Sequence, residues 1–129
     1  MTPTEAVQRL DVVLAHAWMV RNFLKHAEEV QEDPEMLEVH RVIFDFIRAV
    51  EPSRQRGDHA EYLRRIRGKL SKLRRQAEFF AREYRRVSSH TNFEMAAASL
   101  SGCVRQIEEI LAAVPASALP ALEETRDSP

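Results

Sequence analysis

The sequence predicts an all-α protein: a single-domain, antiparallel up-down-up-down four-helix bundle with a long hairpin made by its third and fourth helices. Two apolar repeats carry this expectation. Between Asp58 and Val87, apolar side chains fall at Leu63, Ile66, Leu70, Leu73, Ala77, Phe80, Tyr84 and Val87, in alternating steps of three and four. After a short polar break the same rhythm returns at Phe93, Ala97, Leu100, Val104, Ile107, Leu111 and Val114. Such steps place every member on one stripe of a helix. Short connections between long helices favour antiparallel neighbours, which closes a bundle over residues 1–114.

The first helix is predicted over residues 3–30. Thr2 as N-cap, Pro3 at the first helical position and Glu5 three residues after the cap make a capping box. The second is predicted over residues 34–50. Asp33-Pro34 opens it and Glu51-Pro52 closes it, because a proline removes a helical donor and disfavours helix in the residue before it. Pro52 to Gly57 then reads as a loop. The third helix, 59–87, has Asp58 as cap and Glu61 three residues on. The fourth, 92–114, has Thr91 as cap, Glu94 three residues on, and His90 and Met95 as a hydrophobic staple. Residues 115–129, with three prolines and several acids, read as a flexible tail.

These lengths do not match. A second helix of about 17 residues beside a third of about 30 leaves roughly 20 Å of hairpin uncovered, at 1.5 Å per residue. The far end carries Phe79, Phe80, Tyr84, Val87, Phe93, Met95 and Leu100. An apolar stripe without internal cover recruits a second copy or another protein. Phe79, Tyr84, Phe93 and Met95 are therefore the expected contact residues of a homodimer. Trp18 falls on the polar margin of the first helix and is a separate exposed anchor for a partner.

Composition narrows the function classes. The chain has 129 residues, 44% hydrophobic and 30% charged, which suits one charged helical domain. No apolar run approaches the roughly 20 residues of a membrane helix, so no membrane partner is expected. The start, MTPTEAVQRLD, lacks the pattern of a secretory signal, and one cysteine makes no disulfide framework. Both favour a cytoplasmic location. Cys103 lies among Ala96, Ala98, Ser99 and Gly102, with no group beside it to lower its pKa. It reads as a packing residue, and the small side chains around it allow another helix to approach closely.

His16 and His40 fall inside the apolar arcs of the first and second helices. Antiparallel pairing separates them by on the order of 12 Å, too far to share an ion. No Glu-x-x-His pair of a di-iron bundle occurs, and no Gly-rich phosphate loop or Cys-x-x-Cys. No metal and no cofactor are expected, and both histidines read as core residues.

Charge is unevenly placed. Between Asp58 and Arg86 ten Lys and Arg stand against four acids, a net +6, while the whole chain carries −1. The turn between the first two helices is acidic: Glu28, Glu29, Glu32, Asp33, Glu35 and Glu38. The basic helix could bind a polyanion such as nucleic acid or polyphosphate through Arg64, Arg65, Lys72, Arg75, Arg82 and Arg86. It could equally meet the acidic turn of a second copy, or be a solvated face. A sequence pI near 6.5 weighs against a nucleic-acid domain.

The expected function is that of a non-catalytic bundle acting through protein contacts and self-association, with polyanion binding as the alternative. Arg85 and His90 supply one further possibility. Their R-x4-H spacing is similar to that of HEPN-type ribonucleases, an all-α family. The resemblance implies His90 handling a proton and Arg85 the charge at a phosphodiester.

Overall fold

The computed structural model describes residues 1–118. They form five α-helices: α1 Pro3–His26, the single-turn α2 Glu28–Gln31, α3 Pro34–Arg56, α4 His59–Val87 and α5 Thr91–Ala113. A 3-10 turn at Ala116–Ala118 follows, and Ala118 packs against the core. The tail expected over 115–129 otherwise lies outside the described residues. Each long helix packs chiefly on two others: α1 on α3 and α5, and α4 on the same pair.

Cross-helix bonds fix which ends meet. The Met1 ammonium donates to the Ala113 carbonyl, and Phe23 packs on Phe93, so opposite ends of α1 and α5 are together. Asp11, near the start of α1, accepts from Arg54 near the end of α3 and from the Tyr62 hydroxyl at the start of α4. Arg86, at the end of α4, reaches Asp33 and Glu35 at the start of α3. These are the contacts of an antiparallel bundle. Burial of the Tyr62 ring, with Asp11 beside it, pushes its phenol pKa far up.

Most of the expected punctuation is present. Thr2 and Glu5 form the reciprocal capping box, Asp33 caps α3 through the Met36 amide, and Asp58 caps α4 through the Glu61 amide. The apolar stripes are the core: Leu63, Ile66, Leu73 and Phe80 of α4, and Leu100 and Ile107 of α5, are fully buried.

The second expected helix is longer than its proline suggested. α3 runs through Pro52 and stops only at Gly57, whose φ of 69° lies in the left-handed region. The Gly57 amide donates to the Arg54 carbonyl and the Asp58 amide to the Ser53 carbonyl, the two bonds of a Schellman cap. Buried Ser53 donates to the Val50 carbonyl, so the turn after Pro52 is held from inside as well. The supposed loop is helix because this cap and this burial outweigh one lost helical donor.

The projecting hairpin therefore does not form. α3 has 23 residues and α4 has 29, a difference of about 9 Å. The far end is covered from within. Phe80 and Leu100 are fully buried, and Phe93, 2% exposed, meets Phe23 edge to face at 5.0 Å. Phe79, Tyr84 and Val87 are half-buried against the core. The first helix also ends earlier than expected. The chain leaves α1 at Ala27 in extended conformation, the Gln31 amide caps the Lys25 and Ala27 carbonyls, and Val30 of α2 is buried. At α5 the cap is His90 rather than Thr91: its Nδ1 accepts from the Asn92 amide at 3.0 Å.

Two expectations follow for stability. Phe93→Ala should cost about 3–5 kcal/mol in urea unfolding, because it opens a cavity in the core. Lys69→Gln, at an exposed position on α4, should stay within about 0.5 kcal/mol. The Asp33 pair gives a pH signature. The hydrogen bond from Arg86 is the main cause holding the Asp33 carboxyl below its ordinary pKa. Its contribution is complete above the unfolded-chain value of about 3.9 and is lost as pH falls through the lower folded value. Arg86→Met should lower the urea midpoint at neutral pH, and the gap to wild type should close below about pH 4.

Candidate functional site

The structure scatters the residues expected to bind a partner. Phe93 is a core residue, because α1 supplies Phe23 as its cover. Tyr84 turns its ring toward Phe80, and its hydroxyl accepts from Arg85 at 3.3 Å. Phe79 is half-buried on α4. Trp18 is half-buried at the seam between α1 and α3, where its ring lies 6.0 Å from that of Phe44. Of the four expected at the hairpin end, only Met95 is fully exposed, at 54%.

Met95 has different company. Among the described residues, the exposed large apolar side chains are Val12 at 59%, Met19 at 64% and Met95. Val12, His16, Met19 and Phe23 stand four, three and four residues apart, one ridge of α1. Met95, Ser99 and Gly102 make the matching ridge of α5. Phe23 against Phe93 and the Cys103 thiol on the Val13 carbonyl set these ridges side by side. From Met95 to Val104 α5 carries no acidic or basic residue, and from Val12 to Val20 α1 carries none but His16. A hollow of about 330 Å³ lined by Met19, Asn22, Phe23, His26 and Ala27 extends the face. His16 is exposed here rather than in the core, because α1 turns this ridge to solvent.

The α1/α3 seam is different in kind. The Arg21 guanidinium lies 4.7 Å from the Trp18 ring centre and 4.7 Å from that of Phe44, and Arg48 lies 5.7 Å from Phe44. Both Arg21 Nε and His40 Nδ1 are buried without a hydrogen-bond partner. Each orphaned buried polar atom costs on the order of 1–3 kcal/mol unless something satisfies it. Burial, and then the charges of Arg21, Arg41 and Lys25, push the His40 pKa down. Two adjoining hollows share Trp18, Ile47 and Glu51. The larger, about 500 Å³, is completed by Arg48, Pro52 and Gln55. Nothing in the hydrophobic pattern announced this seam; the one signal was Trp18 standing off the apolar arc beside an arginine three residues on.

Half of the expected anion-binding residues on α4 are already engaged. Arg64 and Arg65 share Glu61, whose carboxyl is held low chiefly by the hydrogen bond from Arg64. Arg86 pairs with Asp33, Glu35 and Glu83, so the acidic turn meets the basic helix within one molecule. Arg75 bonds the Ser71 hydroxyl, and neither it, Lys72 nor Arg82 has a carboxylate partner among the described residues.

The HEPN-like pair is not brought together as a reactive site. Arg85 is bonded to Tyr84, while His90 Nδ1 is occupied by the helix cap. Cys103 is buried, and its thiol pKa is raised by that burial. No cluster of three or more His, Cys, Asp or Glu suited to a metal occurs among the described residues, and no helix among them is long and apolar enough to cross a membrane. Comparison with known proteins finds no matching family model, and no curated protein or solved structure matches the chain.

Proposed function

We propose that this protein is a non-catalytic interaction module that self-associates through the outer face of α5 and α1. The observation that carries the reading is the grouping of Val12, Met19 and Met95 on one uncharged face of a chain that is 30% charged. The rest of α5 suits a second copy. Glu94, Ala98, Gly102 and Arg105 follow one another at steps of four, four and three, on one ridge. If two copies of α5 cross antiparallel with a two-fold axis near Ala98 and Ser99, Glu94 of each faces Arg105 of the other. The same axis sets Met95 against Gly102, where the Arg105 guanidinium lies 3.8 Å from the place a Cβ would take. A two-fold contact repeats each match twice. Neither Glu94 nor Arg105 has an ion-pair partner within the described residues, so both charges are available.

A second reading keeps the α4 ridge of Lys72, Arg75 and Arg82 as a polyanion contact. Their lack of carboxylate partners favours it; the engagement of Arg64, Arg65 and Arg86 leaves only a strip of about 15 Å. Salt separates the two readings, because phosphate contacts weaken steeply with added salt and an apolar contact does not.

Light scattering on a sizing column should give twice the 14.9 kDa chain mass at low and high salt alike. Glu94→Arg alone and Arg105→Glu alone should each weaken the dimer by at least about tenfold, through like charges set opposite one another. The double reversal should recover most of the affinity. A monomer throughout, or a double variant no better than either single one, would remove this reading.

A further inference from the structure

We propose that Arg21 and His40, facing each other across the α1/α3 seam, form the charged end of a binding site for a small organic oxyanion, a phosphate or carboxylate, whose apolar body lies against Trp18 and Ile47. This site is separate from the α5 face, and does not rest on self-association.

The register of the seam brings the two residues together. Asp11 pairs with Arg54, and Trp18 packs on Phe44 further along; one turn on, Arg21 stands opposite His40. Both contribute a buried nitrogen without a partner, Nε of Arg21 and Nδ1 of His40. Two such nitrogens across one seam define the place of a missing group. An oxyanion accepts from the Arg21 Nε–H and, in the Nδ1–H tautomer, from His40, and satisfies both.

The arginine is held ready for this. Its guanidinium lies over the touching Trp18 and Phe44 rings, whose centres are 6.0 Å apart, at 4.7 Å from each, a contact that uses none of its hydrogen-bond donors. The charges that act on His40 are positive. Lys25 and Arg41 act on His40, and Arg48 lies 5.7 Å from the Phe44 ring centre. Of the nearby carboxylates, Glu38 is paired with Arg41, Asp11 with Arg54 and Tyr62, and Glu51 with Arg54, while Asp45 is exposed to solvent. Neither Arg21 nor Arg48 has a carboxylate partner among the described residues.

Room for the rest of the ligand adjoins this end. Trp18 and Arg48 belong both to the stack and to the hollow of about 500 Å³, a depression open to solvent that begins beyond Arg21 and His40. Its apolar wall is Trp18, Ile47 and Pro52. Pro52 also leaves the Arg48 carbonyl without its usual helical donor, an acceptor for a hydroxyl or amine on the ligand. Glu51 closes the hollow away from Arg21 and selects against a second anionic group.

Trp18 is the single tryptophan of the chain, so its fluorescence reports directly on the site. The probes are phenyl phosphate, benzoate, inorganic phosphate and phenol, titrated into the full chain. At least one of the two aryl anions should give a saturable change, at least about tenfold tighter than phenol or inorganic phosphate. Whichever aryl anion binds more tightly identifies the oxyanion. Arg21→Met, which keeps an apolar side chain over the two rings, should weaken that binding at least about tenfold. If circular dichroism shows that this variant does not fold, Arg21→Lys, which keeps the charge but loses Nε, replaces it with the same expectation. Arg82→Gln on α4 should leave binding unchanged. Phenol binding as tightly as the aryl anions, undiminished binding by a folded Arg21 variant, or no saturable change with any probe would overturn the proposal.

Discussion

The bundle depends on α3 continuing past Pro52 to the left-handed cap at Gly57. That continuation gives α3 a length close to that of α4, so the α4 stripe is covered along most of its run. It also carries Arg54 to Asp11, which with Tyr62 ties α1, α3 and α4 at one end. At the other end Arg86 ties α4 back to the cap of α3. Between these two polar knots the core is apolar, with Phe80, Phe93 and Leu100 closing the end of the hairpin. A proline in a helix interior typically costs about 3 kcal/mol or more, and it is tolerated here because the turn beyond it is capped and buried.

Internal charge pairing explains what is left on the surface. The acidic turn and the basic helix are neighbours in the fold, so the dipolar sequence is largely neutralised in place rather than offered to a partner. Two surfaces escape that pairing. One is the α1/α5 face, which has almost no charge. The other is the α1/α3 seam, where cations collect around two aromatic rings without a carboxylate to meet them. The first suits a copy of itself, the second an anion. They lie on different sides of α1, so both can be occupied at once.

The helices and the core were legible because apolar side chains at steps of three and four must share a face, and because Thr2, Asp33 and Asp58 are strong caps. What was not legible depended on competition between local signals. Glu51-Pro52 and Gly57 both signal an end, and only burial of Ser53 and the two cap bonds decide for Gly57. The break at Ala27 has no glycine or proline behind it; it rests on Gln31 reaching back to two carbonyls. The projecting end expected to expose Met95 does not exist, and Met95 is exposed for another reason: it stands on the outer ridge of α5. Phe93 shares its apolar character and lies two residues away, yet the helical turn puts it in the core. The angle of Trp18 on α1 sets it at the margin of the apolar arc, whereas its stack with Arg21 and Phe44 depends on which helix lies beside it.

The measurement that bears most directly on self-association through α5 is disulfide trapping across the dyad. In an antiparallel pairing centred near Ala98 and Ser99, a cysteine at position 98 faces its own counterpart, close enough for an unstrained bridge. The native Cys103 is buried and does not compete. Mild oxidation of Ala98→Cys should give a covalent dimer rapidly at low protein concentration, while Ala60→Cys, exposed on α4, should remain monomeric under the same conditions. Cross-linking at position 98 no faster than at position 60 would contradict the account.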